Sequence, residues 1–468
     1  MKQSLIGVLT VVMLWAARPT GGMELIVVRP DGAGFMERDS RKPWVPFGTN
    51  YYDPNTGWAP KLWRQFDEGR VRTHFGVMQS LGVNCARVFL TAAGFQPNED
   101  KVEEAALGKL DAMVRIAREH GIRLIPTGPD HWEGSPDYWR GDRFGGERAL
   151  KALEVFWEVV GQRYKGEPAI FAWDLLNEPH VPWSNPDWLD RWRGRLREKY
   201  GSWEALRKAW GSEAPVDGQW EAISIPADEA DADSMRLADY QDFREYLADE
   251  WVRRQVEAIA RVDPTHLVTV GYIQWSYPLV RQGGPSRYAA FNPWRQARWV
   301  DFHTIHFYPV LGSPFASEEN HRKNLDYLRA VLAWCHVGKP VVLGEFGWYG
   351  GGAPQNHPFL SEQQQADWIV AEIEATRGLA DGWLSWPFAD TPSSRDISLY
   401  SGLVKPDMTL KAWGRTFQSY SADTPGLPLV KPSFPQRPKE GALTATEAEL
   451  NQVHARYADA VVQALAGR

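Results

Sequence analysis

Along the chain, short apolar runs alternate with longer stretches in which apolar residues return every three or four positions. The runs are WVPFGTNYY (44–52), NCARVFL (84–90), IRLIPTGP (122–129), AIFAWDLLNEP (169–179), HLVTVGY (266–272), VDFHTIHFYP (300–309), PVVLGEFGW (340–348) and DGWLSWPF (381–388). Each has strand length and is apolar nearly throughout, the pattern of strands covered on both faces. Between them, LGKLDAMVRIAREHG (107–121), ERALKALEVFWEVVGQRY (147–164) and NLDYLRAVLAWCHVG (324–338) carry the i, i+3, i+4 spacing of helices, and two of these end in Gly, a common helix stop. Eight strand–helix units in succession predict an α/β fold, a closed parallel (β/α)8 TIM barrel. The competing architecture, a doubly wound open sheet, usually opens with a G-x-G-x-x-G turn, and none follows these strands.

Three segments depart from the repeat. After the fourth run, residues 180–235 form a Trp-rich insertion with Ser202 as an expected helix N-cap. It falls on the C-terminal face, where it either walls a cleft or pads the surface. Residues 423–468 open Pro-rich (DTPGLPLVKPSFPQRP) and close on a helix pattern. Residues 1–22 have a basic start, an apolar stretch from Leu5 to Ala17 and then small and turn-forming residues. That is a secretory signal pattern, so the barrel is assigned to 23–422 and the protein is expected to be exported. No other stretch is apolar for long enough to span a bilayer, so no membrane contact is expected.

Composition narrows the picture. The 468 residues are 43% hydrophobic, enough for a large core, and the net charge of −7 with scattered Lys and Arg argues against nucleic acid as a partner. Tryptophan is abundant, 24 residues, as stacking surface for a ligand or as core filler. The two cysteines, Cys85 and Cys335, are too few for a disulfide framework or a metal site. Buried free thiols are expected, with a single bridge as the alternative. Oligomeric state is not legible.

In a barrel of this kind the chemistry lies where strands finish. The tips offer Arg87 on the second strand, Asn177 and Glu178 on the fourth, His306 and Tyr308 on the sixth, Glu345 on the seventh and Trp386 on the eighth. Alternation groups His306 and Tyr308 with Phe302 and Thr304, and sends His303 the other way, towards a helix. Asn177 and Glu178 are neighbours, so either a bulge re-aims one of them or only one reaches the mouth.

The NEP that closes the fourth strand and the GEFG that closes the seventh resemble the signatures of clan A glycoside hydrolases, particularly the cellulase-like family 5, over roughly residues 44 to 420. The resemblance implies Glu178 as general acid/base and Glu345 as nucleophile. It also implies Arg87 paired with the nucleophile, Asn177 on a sugar 2-hydroxyl, Tyr308 bonded to the nucleophile, and His306 and Trp386 lining the subsite of cleavage. A cis Trp386–Pro387 bond is expected from the same likeness. The family often ends its third strand in His, whereas IPTGPDHWEG delays His131 by several residues, and the insertion's EKYGSWEALRKAWGS resembles family 42 β-galactosidases instead.

Such a pair of carboxyls in opposite protonation states can protonate a leaving oxygen and meet a cationic sugar ring. A gap of ~5–5.5 Å retains configuration and one of about 6.5–9.5 Å inverts it; the resemblance implies the shorter. Arg87 would favour the ionised form of Glu345, while Glu178 holds its proton. Tyr51, Trp132, Trp183 and Trp348 are stacking or packing residues. The expected activity is hydrolysis of a β-linked oligo- or polysaccharide, mannan or glucan favoured, with no metal or organic cofactor. Exo-acting galactosidase or mannosidase action, transglycosylation, and a barrel that only binds carbohydrate are the alternatives.

Overall fold

A computed structural model of the chain describes residues 22–216, 218–227, 234–280, 287–423, 433–438 and 447–466. The signal pattern, Gly22 apart, lies outside the described residues. Eight strands close into a barrel: β1 (Phe47–Tyr51), β2 (Cys85–Thr91), β3 (Arg123–Asp130), β4 (Ala172–Asn177), β5 (Leu267–Ile273), β6 (His303–His306), β7 (Val341–Glu345) and β8 (Gly382–Ser385). Every neighbouring pair is parallel, in chain order, and β8 pairs back with β1. The fold is the (β/α)8 barrel that the alternating runs predict.

Its strands are buried along almost their whole length, which explains their continuous apolar character. Helices such as Glu104–Glu119, Glu147–Tyr164, Glu318–Trp334 and Glu362–Thr376 lie outside them. The last begins with a capping box, in which Ser361 and Gln364 each satisfy the other's backbone N–H.

The N-terminal end of the barrel is closed by a small antiparallel sheet (Ile26–Val28, Phe35–Glu37, Pro43–Trp44). Phe35 and Trp44 from this sheet meet Phe171 and Phe302, which lead into β4 and β6, with ring centroids 4.7 to 5.3 Å apart. These edge-on and stacked rings seal the bottom, with the Arg123 guanidinium lying over the Trp44 ring.

The insertion forms helices Leu189–Tyr200 and Trp203–Trp210, with Ser202 Oγ accepting from Ala205 N–H as the N-cap. It is fastened to the long helix Met235–Val262 by Asp239, which accepts hydrogen bonds from Lys199, Tyr200 and Trp210. Helix Glu447–Ala466 lies against helix Glu318–Trp334, where Tyr457 meets Trp334 and His454 meets Tyr327. Both cysteines are buried free thiols. Among the described residues no helix is long and apolar enough to cross a membrane.

The Trp386–Pro387 bond is trans, contrary to expectation; among the described residues the cis peptide is Gly128–Pro129, in β3. Trans is the intrinsically favoured isomer before proline by roughly 0.5–1 kcal/mol. Trp386 is seated in that form by its N–H on the Phe346 carbonyl and its Nε1 on Ser398 Oγ.

Candidate functional site

A buried cluster of charges lies at the opposite end. Arg87 stands in mid-β2 and is fully buried, so each of its donors needs an acceptor. Nε donates to Asp174 Oδ2 at 2.8 Å, Nη1 to Glu345 Oε1 at 2.7 Å and to Asn50 Oδ1 at 3.1 Å, and Nη2 to Asn177 Oδ1 at 2.9 Å. Asp174 is held in turn by Thr127 Oγ1 and by the Gly271 N–H. Gly271 has to be glycine: a Cβ there would lie 2.9 Å from Arg87 Nη2 and 3.0 Å from His306 Cε1.

β4 ends in an irregularity. Its register against β5 slips between Asp174 and Asn177, and Glu178 takes a left-handed backbone (φ 47°) while its N–H bonds Gly271 O at 2.8 Å. The slip lets consecutive residues face the same way. Asn177 reaches Arg87, and Glu178 reaches His306 Nδ1 at 3.1 Å. Across the mouth, Glu345 accepts from Tyr308 Oη at 2.9 Å and lies 3.4 Å from the same His306 nitrogen. The Glu178, His306 and Glu345 ligand atoms all fall within 4.8 Å of one another. The two side chains differ in depth, Glu178 being 30% exposed and Glu345 only 5%.

Electrostatics separate the pair. Burial and the nearby Glu345 charge push the Glu178 carboxyl well above its ordinary range. Burial raises Glu345 too, but less, because Arg87 and the Tyr308 hydroxyl stabilise its anion. Burial beside Arg87 holds His306 well below its usual value, so it is neutral and links the carboxyls without adding charge. A metal ion could use the spacing of these three ligands, yet it would sit against the guanidinium that already bonds Glu345. The charge of Arg87 makes this donor set a poor seat for a cation.

Of the other residues anticipated at the strand tips, Trp386 and Trp132 join Tyr52, Trp58 and Phe89 in an aromatic cluster against which Tyr308 packs. Tyr51 is not a stacking platform. Alternation turns it outward, and its hydroxyl meets His74 Nδ1 beneath helix Glu68–Ser80, while Tyr52, one residue on, faces the mouth. Trp183 is fixed to the insertion by Nε1 on Pro226 O and lies against Tyr240 and Arg244. Trp348 packs on Tyr349 and His357. His131 bonds Asp130 and contacts Arg143; among the described residues it has no hydrogen bond to either glutamate. His303 is buried beside Tyr272, and neither ring nitrogen has a protein partner among the described residues.

Sequence reading missed Asp174, Asn50 and Gln274. A charged residue inside AWDLL was the available signal for Asp174, since a carboxylate in an apolar strand needs a partner. Gln274 clamps the Tyr308 backbone at both N–H and C=O.

Comparison with known proteins adds to this geometry. A family model described as glycoside hydrolase 42, beta-galactosidase, matches residues 148–347, a span containing both glutamates. Mannan endo-1,4-beta-mannosidase A of Emericella nidulans is 25% identical over 299 residues, covering 62% of this chain and 58% of its own. Mannan endo-1,4-beta-mannosidase 3 of Oryza sativa is 25% identical over 324 residues, 60% of this chain and 56% of its own. The chain therefore spans a little over half the length of these two curated relatives. Among solved structures, GH5_18 from Streptomyces cattleya, a variant in complex with Manb1-4GlcNAc, superposes with a TM-score of 0.63 at 18% identity, covering 90% of this chain and 92% of that one. A beta-galactosidase from Marinomonas ef1 superposes with a TM-score of 0.62 at 16% identity, covering 89% and 65%. At these identities the superpositions establish the fold.

Proposed function

We propose that this chain, whose sequence and fold carry the signal of the clan A glycoside hydrolases, cleaves β-glycosides with retention of configuration, Glu345 acting as nucleophile and Glu178 as acid and then base. The observation that carries the reading is the separation of the two carboxyls, whose ligand oxygens lie within 4.8 Å of each other. Such close approach of one oxygen from each carboxyl supports the ~5–5.5 Å arrangement of double-displacement sites over the about 6.5–9.5 Å arrangement that seats an inverting water.

The surroundings support the division of roles. Arg87 and Tyr308 stabilise the Glu345 anion, so it attacks the anomeric carbon. Glu178 retains its proton and delivers it to the departing glycosidic oxygen. The new bond is between Glu345 and the anomeric carbon, and the bond lost is that to the leaving sugar. Once Glu345 is an ester its charge is gone, the repulsion that raised Glu178 relaxes, and Glu178 takes a proton from water, which then releases the second sugar. His306 orients both groups through Nδ1.

β-Mannan is the favoured substrate, as in the printed names of the curated relatives. β-Galactosides are the second reading, favoured by the family model over 148–347. The pattern of residues 1–22 supports export. NMR of the first product from an aryl β-mannoside and an aryl β-galactoside tests the mechanism and the sugar together. We expect β-configured product at first, and an activity profile that falls in acid as Glu345 is protonated and in alkali as Glu178 loses its proton. An α-configured first product would refute retention, and cleavage of neither glycoside nor of mannan would refute the function.

A further inference from the structure

Beside the aromatic cluster, at the tips of β1 and β8, lies a pocket of about 250 Å³ lined by Tyr52, Trp58, Lys61, Thr391, Arg395 and Asp396 among others. Tyr52 and Trp58 also pack on Trp386, so this pocket and the carboxyl site share a wall. The wall is firm: Tyr52 is buried and its hydroxyl bonds Thr391 Oγ1 at 2.7 Å. Sites for drug-sized ligands run from roughly 300 to 1,000 Å³, so this one suits a single sugar unit.

Its lining carries two exposed cations, Lys61 and Arg395, and one exposed acid, Asp396. Elsewhere arginines such as Arg163, Arg254 and Arg295 are each matched to two or more carboxylates. Lys61 and Arg395 form neither an ion pair nor a side-chain hydrogen bond among the described residues. The one acid of the lining, Asp396, is committed to Ser394 Oγ at 2.7 Å and the Ser398 N–H at 2.8 Å. Two cations against one carboxylate leave this lining with a net positive charge in a protein of net charge −7.

We propose that this pocket binds a carboxylate-bearing sugar, a hexuronate one unit away from the ring held between Glu178 and Glu345, with Lys61 and Arg395 on the carboxylate and Trp58 against the ring. Guanidinium and ammonium donors make charge-assisted hydrogen bonds to a carboxylate that a neutral hydroxymethyl cannot reproduce. The inference rests on the glycosidase reading and extends it to a class of acidic substrates.

The test compares 4-nitrophenyl β-mannobioside whose outer unit is oxidised to the uronate with the methyl ester of the same compound. Dissociation constants are measured by calorimetry on the Glu178→Gln protein, and kcat/KM on the unaltered enzyme. Two exposed charge pairs predict tighter binding of the acid by between about twofold and thirtyfold. The preference shrinks in high salt, because exposed charges are screened, and Lys61→Met and Arg395→Met each remove part of it. Equal binding of acid and ester, or a preference that survives the double variant, would overturn the inference. Acid-selective binding without cleavage of either compound would leave the pocket standing and sink the glycosidase reading, whereas equal cleavage of both would do the reverse.

Discussion

The two ends of this barrel are built from the same strands and follow opposite rules. At the N-terminal end Phe35, Trp44, Phe171 and Phe302 meet ring to ring. At the C-terminal end Arg87, Asp174, Glu178 and Glu345 sit within one network of hydrogen bonds. The first arrangement removes apolar surface from water and asks nothing more of its members. The second buries charge, which is unfavourable unless every group is paired, and its two glutamates remain raised in pKa despite their partners. One end holds the barrel shut, and the other keeps carboxyls in the states that chemistry needs.

The sharpest way to separate the ends is Glu345→Gln. It keeps the shape of the side chain and removes the attacking oxygen anion, so turnover should fall on the order of 10⁴–10⁶-fold. Stability should not fall with it. Burial raises the Glu345 carboxyl to about 7 in spite of Arg87 and Tyr308, so its anion is less favourable in the folded than in the unfolded chain, and the neutral amide removes that cost. Calorimetry should give a Tm at or above the parent's, and a variant within tenfold of parent activity would remove Glu345 from the nucleophile's role.

Phe302→Ala is the converse. Phe302 is wholly buried and stacks on Phe171 with centroids 5.3 Å apart. Removing the ring should cost about 3–5 kcal/mol of stability, read by urea denaturation. The kcat of the folded fraction should stay near the parent's, since the change lies at the far end of the barrel. A kcat that dropped in proportion to stability would mean that the two ends are mechanically coupled.

How far the sequence revealed each end follows from the same contrast. The barrel was legible because strands buried on both faces are apolar nearly throughout, so that CARVFL and PVVLGE each carry a single charged residue, Arg87 and Glu345. The meeting of Arg87 with Glu345 was anticipated through family resemblance, because nothing local links residues so far apart. Details set by one-residue shifts were out of reach. Tyr51 and Tyr52 are equivalent as composition, but only the second faces the mouth, and the slip that brings Asn177 and Glu178 to one side appears only once β4 is paired with β5. Asp174 was passed over because its partner arrives from another strand. The Trp386–Pro387 isomer turns on a difference near 1 kcal/mol, smaller than sequence pattern resolves.

The finest distinction between the ends concerns one hydroxyl. Tyr308 packs its ring on the aromatic cluster and donates from Oη to Glu345 Oε2 at 2.9 Å, so it belongs to both kinds of environment at once. Tyr308→Phe keeps the ring and deletes the donor. A hydrogen bond to a charged group is worth about 1.5–3 kcal/mol, so the Glu345 pKa should rise by about one to two units. Activity needs Glu345 ionised; the acid limb of the kcat/KM profile should therefore move to higher pH by that amount, while the alkaline limb, set by the Glu178 proton, stays close to its place. If the rate instead falls equally at every pH, Tyr308 serves to position the sugar and the tuning of Glu345 rests on Arg87 alone.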